Sequence, residues 1–173
     1  MANPGRYSWI TLALICLALL VGLFASHPAI GQIISLQQQF SFGTIAMRSN
    51  GAKERLVLNL NGTYSATANI LVISAPQRAE FLATGFQPST ALSLSIQPIE
   101  LSEDGQGTGK KFNVGFVYSP NISTDPTGSV TIFIGGTLET SGDGTPYDDR
   151  QYAGTASLIV NYQFPETRFL QRI

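Results

Sequence analysis

Thiols and imidazoles are almost missing from this chain: its 173 residues hold one cysteine (Cys16), one histidine (His27) and one tryptophan (Trp9), all within the first 31 positions. If that stretch is removed on maturation, neither group remains. A disulfide framework, a zinc site built on Cys or His, a Ser-His-Asp triad and a Cys-His nucleophile are then excluded together. Charge is scarce as well, at 12% of residues against about 25% in ordinary soluble proteins. Ser, Thr, Asn, Gln and Gly fill the deficit, leaving a surface with little charge repulsion to oppose self-association. No basic cluster exceeds the pair Lys110-Lys111, so the electrostatic footprint of a nucleic-acid partner is absent.

The first 31 residues have the order of an export signal. Arg6 precedes an apolar run from Trp9 to Phe24, and the small-residue stretch Ala25-Ser26-His27-Pro28-Ala29-Ile30-Gly31 follows. That sequence of regions predicts a secretory signal peptide over residues 1–31, cut before Gln32. At about 1.5 Å per residue the run falls short of the ~30 Å hydrocarbon core of a bilayer. An uncleaved anchor is the alternative, and a lipid anchor is disfavoured because Cys16 sits inside the run after Ile15 rather than at its end. The expected product is secreted, periplasmic or displayed at the cell surface, with no membrane span in the mature chain. Arg6 is the one charged side chain lost, so the formal charge moves from −1 to −2. The remaining 142 residues suit a single domain over 32–164 with one sizeable core, followed by a tail at 165–173.

Downstream, apolar and polar residues alternate over short stretches separated by Gly, Pro, Asn or Asp, the period-2 pattern of half-buried strands. Leu56, Leu58 and Leu60 share a face before Asn61-Gly62, a dipeptide that favours a tight hairpin turn. Ile70 to Ile73 has the continuous apolar character of a buried strand, and Phe81-Leu82-Ala83 precedes Gly85. Leu92, Leu94 and Ile96 alternate until Pro98, and Phe112, Val114, Phe116 and Tyr118 form the clearest alternation. Val130, Ile132 and Ile134 run into Gly135-Gly136, and Ala156, Leu158, Val160 and Tyr162 close the domain. No spaced helical pattern persists for three turns after the leader. The expected fold is all-β, two antiparallel sheets packed as an immunoglobulin-like sandwich, with an up-and-down barrel as the alternative. Ser102–Lys111 and Thr140–Gln151 read as long exposed loops.

Specific residues add a family likeness. The order Phe42-Gly43-Thr44-Ile45, Ala79-Glu80-Phe81 with Thr84-Gly85, Ile134-Gly135-Gly136-Thr137-Leu138, and Tyr152-Ala153-Gly154-Thr155 running into Val160-Asn161-Tyr162 resembles the bacterial secreted domain of unknown function 4402. The likeness covers roughly residues 33–164. It implies an exported β-sandwich, distantly similar to fimbrial and spore-coat subunits, and supplies no catalytic residue. The glycines of these motifs, Gly43, Gly85 and Gly135-Gly136, fall at the ends of strand patterns, where turns or bulges need backbone angles that a Cβ opposes.

Each candidate for chemistry has a plainer reading. Gly105-Gln106-Gly107-Thr108-Gly109-Lys110-Lys111 looks like a phosphate loop, but Asp104 stands where the first glycine belongs, Lys111 replaces Ser or Thr, and a strand follows instead of a helix. A hairpin loop accounts for it better. Glu103 with Asp104, and Asp148 with Asp149, are adjacent carboxylates of the kind a glycosidase uses, yet both pairs lie in polar stretches without a desolvating environment. Asp143, Asp148 and Asp149 offer oxygen ligands for calcium within one loop, but the spacing is not that of an EF-hand and a solvated turn is the plainer account. Asn61-Gly62-Thr63 and Asn121-Ile122-Ser123 match a glycosylation pattern that the bacterial likeness makes irrelevant. The sequence therefore assigns no catalytic residue, metal ligand or cofactor.

Two segments have the character of zipper strands: Ile34, Leu36, Phe40 and Phe42, interrupted by Gln38, and the closing run Gly154 to Tyr162. An N-terminal strand of this type is able to complete a neighbour's sheet by strand addition. Pairing within its own domain is the default for consecutive elements. The expectation is a non-enzymatic structural or surface module, such as a subunit of a fimbria-like or coat assembly, with self-association or other surface proteins as partners. A soluble carbohydrate- or calcium-binding module using loops 102–111 and 140–151 is the second reading.

Overall fold

The computed structural model of the protein describes residues 31–103 and 109–162. The expected leader with Arg6, Cys16 and His27, the first part of the glycine-rich loop (Asp104 to Thr108) and the tail with Arg168, Phe169, Leu170 and Ile173 lie outside the described residues. All described strands belong to the compact unit Gln32–Ile173.

The architecture is the antiparallel β-sandwich that the alternation predicts, with no helix among the described residues. Twelve strands are described: β1 (Ile33–Gln38), β2 (Thr44–Met47), β3 (Arg55–Leu58), β4 (Tyr64–Ala66), β5 (Ile70–Ser74), β6 (Ala79–Thr84), β7 (Ala91–Ile96), β8 (Ile99–Ser102), β9 (Lys111–Val117), β10 (Asn121–Ser123), β11 (Val130–Glu139) and β12 (Leu158–Tyr162). The large sheet runs β1-β6-β11-β3-β4, with β9 pairing β11 and β8 pairing β9. A three-stranded sheet, β10-β7-β12, and a two-stranded one, β2-β5, supply the facing layer.

β11 ties these parts together. Its first half, Val130 to Ile134, pairs with β6. Its second half pairs with β3 through Gly136 to Glu139 and with β9 through Gly135 to Glu139. The expected stop at Gly135-Gly136 is therefore corrected: the strand continues through both glycines. Neither has a positive φ. They serve close approach instead, because a Cβ on Gly135 would overlap the Leu58 carbonyl oxygen. Gly43 and Gly85 do occupy the left-handed region, at φ 71° and 80°, as strand-end glycines should.

The core divides where β11 changes partners. Ala79 and Ala83 of β6, Leu92, Leu94 and Ile96 of β7, and Ile132 and Ile134 of β11 form one cluster. Leu56, Ile70, Phe112, Val114, Leu138 and Phe42 form the other. Phe40 and Phe116 pack against both, edge to face with ring centroids 5.8 Å apart. Inward alternation is as expected for Leu56 and Leu58, and for Leu92, Leu94 and Ile96, all of them buried. The expected fully buried strand at Ile70 to Ile73 is not observed. Ile70 is buried but Leu71 and Ile73 are exposed, because β5 pairs only with β2 and presents one face to solvent. The Asn61-Gly62 hairpin joins β3 and β4 as expected, with Gly62 at φ 84°. Its loop is wider than a two-residue turn, closed by Asn59 N donating to Thr63 O and Gly62 N to Asn59 O.

Candidate functional site

Three surfaces come forward: the loop over the Leu56 cluster, a depression on the outer face of the large sheet, and the open side where β1 and β12 end their sheets.

The loop after β11 is largely exposed, as its composition predicts, but it is tied down at several points. Tyr147 folds back and stacks on Phe112 with centroids 4.0 Å apart and planes 10° apart, while Tyr152 meets Phe112 edge-on at 4.9 Å. Tyr147 Oη donates to Lys111 O at 2.9 Å and accepts from Ser141 N at 2.8 Å. Buried Asn50 anchors the same loop, accepting from Gly142 N at 3.0 Å and donating to Thr145 O at 2.8 Å. Thr140 is fully buried and accepts from Glu54 N through Oγ1 at 2.9 Å. These partners lie some ninety positions away, so only apolar spacing and tyrosine content hint at them in the sequence.

Asp143, exposed like Asp148 and Asp149, is drawn into this network. Its carboxylate accepts from Thr145 Oγ1 (2.6 Å), Thr145 N (2.9 Å) and Asn50 Nδ2 (3.1 Å), and pairs with Lys110 Nζ at 3.4 Å. The Thr145 hydroxyl and amide, with Lys110 beyond them, hold the carboxyl well below the usual carboxylate range. The Asp143 carboxylate is thus already engaged by Thr145, Asn50 and Lys110. Among the described residues no three His, Cys, Asp or Glu side chains gather to hold a metal. Lys110 and Lys111, the lysines of the phosphate-loop-like segment, are engaged with Thr145 O (2.7 Å) and Glu100 (2.7 Å) respectively. Glu103 pairs with Arg150 at 3.6 Å.

The outer face of β3, β11, β9 and β8 carries a polar row across four strands. Arg55, Glu139, Asn113 and Glu100 are successive partners in the ladders. They border a depression of about 390 Å³ against which Pro98, Ile99 and Gly115 also lie. A Cβ on Gly115 would meet open space. Glu139 accepts from Lys53 (2.8 Å) and Arg55 (2.7 Å), and these hydrogen bonds lower its pKa. A carboxyl held ionised in this way is the opposite of the raised-pKa acid that glycosidic cleavage requires.

The third surface is apolar. Among the described residues β1 is the terminal strand of the large sheet and pairs only with β6, Ile34 opposite Ala83 and Leu36 opposite Phe81. The N-terminal strand therefore pairs within its own domain, and Phe40 and Phe42 leave the strand to enter the core. Yet Ile33, Ile34 and Leu36 remain 60%, 42% and 56% exposed. β12 likewise ends its sheet, with Ile159 exposed, and Tyr162 Oη donates to Gln32 Oε1 at 2.7 Å. The sandwich is open along this side. Asn61 and Asn121, the two glycosylation-like positions, lie at the β3–β4 loop and at the start of β10.

Fold and surfaces together define an antiparallel β-sandwich domain with two open strand edges and a glycine-floored outer face. The chain belongs to the family described as Domain of unknown function (DUF4402), whose sequence profile matches residues 34–162. No curated protein and no solved structure matches the chain.

Proposed function

We propose that this protein is an exported, non-enzymatic structural or surface module that associates with copies of itself or with other surface proteins, as a subunit of a fimbria-like or coat assembly. One observation carries the reading: an uncharged edge strand, β1, presents three large apolar side chains to solvent on a sheet edge with no further partner among the described residues. Soluble proteins ordinarily blunt such edges with lysine, proline or bulges, because an unpaired ladder recruits other chains; β1 has neither lysine nor proline, and its one irregularity is a register shift between Leu36 and Gln38. The residue inventory supports a non-enzymatic reading, since the domain from Gln32 onward holds neither thiol nor imidazole.

The test is sedimentation of the protein expressed as the full chain and purified from the compartment that receives it. Assembly predicts concentration-dependent oligomers, and a monomer at every concentration overturns it. The second reading, a carbohydrate-binding module, draws on the polar depression floored by Gly115 and not on the loops 102–111 and 140–151. It predicts a monomer whose melting temperature rises with ligand.

A further inference from the structure

From the pairing of β1 we infer that two copies of this chain join edge to edge through their β1 strands, antiparallel and in one register, with Ser35 opposite Ser35 of the partner. The inference rests on the self-association reading and specifies its interface. β1 spends one edge on β6 and leaves the other unpaired among the described residues. Ile33–Gln38 contains no charge, no proline and no glycine, and its one irregularity, the register shift between Leu36 and Gln38, falls after the regular stretch Ile33–Leu36 that would meet a second copy of the strand. Ile34 and Leu36 stand opposite Ala83 and Phe81, which places them on the core-side face of the sheet. They stay exposed there only because the sheet stops.

The sequence of β1 is self-complementary in a single register. With Ser35 at the two-fold axis, Ile34 faces the partner's Leu36 and Leu36 faces the partner's Ile34, continuing the apolar face from one core layer to the next. A two-residue shift centred on Ile34 sets Leu36 against the partner's Gln32, and one centred on Leu36 sets Ile34 against the partner's Gln38. A one-residue slip turns every side chain to the wrong face. The occupant with matching chemistry is therefore a second β1, which supplies an apolar pair on the inner face twice over by symmetry. The two large sheets become one continuous sheet across the dimer.

Cysteine cross-linking in the full chain carrying Cys16→Ser tests the register. Residues directly opposite in an antiparallel pair lie about 4.5–5.5 Å apart at Cα, within disulfide reach. Ser35→Cys should give a disulfide-linked dimer under mild oxidation, and Ile34→Cys mixed with Leu36→Cys should link to each other in preference to themselves. The double variant Ile34→Lys with Leu36→Lys should raise the dimer dissociation constant by about tenfold or more, with an unchanged melting temperature at high dilution showing that the domain still folds. Oligomers that survive the lysine variant without Ser35→Cys cross-linking would overturn this interface and leave the assembly function standing. A monomer throughout, with β1 covered by the chain's own tail or by nothing, would overturn both.

Discussion

The half of the sandwich around Leu56 and Phe112 is closed on itself, whereas the half around Ala83 and Leu92 stops at bare strand edges. In the closed half the chain after β11 returns over the core, laying Tyr147 flat on Phe112 and tying itself down through Asn50, Thr140 and Asp143. In the open half β1 and β12 each pair on one side only, and their polar link is the Tyr162–Gln32 hydrogen bond. The two halves share β11 and the rings of Phe40 and Phe116. A domain that spends its loop interactions on one end and leaves the other unfinished has separated the part that keeps it folded from the part available for contact.

That separation can be attacked directly, most strongly in the closed half. Phe112→Ala removes a ring that is 5% exposed and holds both tyrosines. Denaturant unfolding should show a loss of about 3–5 kcal/mol, and a loss no larger than that of a surface substitution would show that the loop, not the ring, seals this end. Gly135→Ala tests the crossing of the two halves. Its Cβ would press into the Leu58 carbonyl, for an expected loss of about 1–3 kcal/mol, seen as a lower melting temperature by circular dichroism.

Acid should act unequally too. Hydrogen bonds from Thr145 hold the Asp143 carboxyl below its ordinary range, those from Lys53 and Arg55 do so for Glu139, and those from Thr67 and Asn69 for Glu54. All three lie in the closed half. In the open half, Asp125 is lowered by the Thr127 hydroxyl and by the amides of Ser129, Thr127 and Gly128. Because these folded-state values are depressed, their contribution is present above the unfolded carboxylate pKa of about 4 and fades as pH falls through the lower folded values. Hydrogen exchange followed from neutral to acid pH should lose protection in β3 and the end of β11 before β6 and β7, and Asp143→Asn should flatten that dependence. Equal loss in both halves would dissolve the contrast. The smallest effect is expected at the open edge. Leu36→Ala, measured on dilute protein, should change stability by less than about 0.5 kcal/mol, since the side chain is 56% exposed.

Local alternation made most of the open half legible in the sequence. β7 and β12 follow their spacing, and the N-terminal alternation marks β1 and its apolar edge. The closed half was harder to foresee, for physical reasons. Gly135 and Gly136 look like a strand stop because glycine usually frees the backbone, yet here their lack of a side chain lets β3 pass close to a continuous strand. The loop 140–151 looks wholly solvated because its polar groups outnumber its apolar ones, and the partners that tie it down, Asn50 and Lys111, are remote in the chain. Ile70 to Ile73 looks buried because a run of apolar residues does not reveal which face lacks a covering layer. The outer-face row of Arg55, Glu139, Asn113 and Glu100 depends on ladder register across four strands, which spacing within any one strand does not disclose.

The hydrogen bond between Tyr162 and Gln32 brings the first and last described stretches of the domain side by side. The backbone path is consequently almost a closed loop, so a short peptide bridging these positions, with new ends opened at Asn61-Gly62, should yield a circular permutant that keeps the same core. Such a relocation would also join the first strand to covalent chain at both of its ends, turning a segment that begins the domain into an internal ribbon.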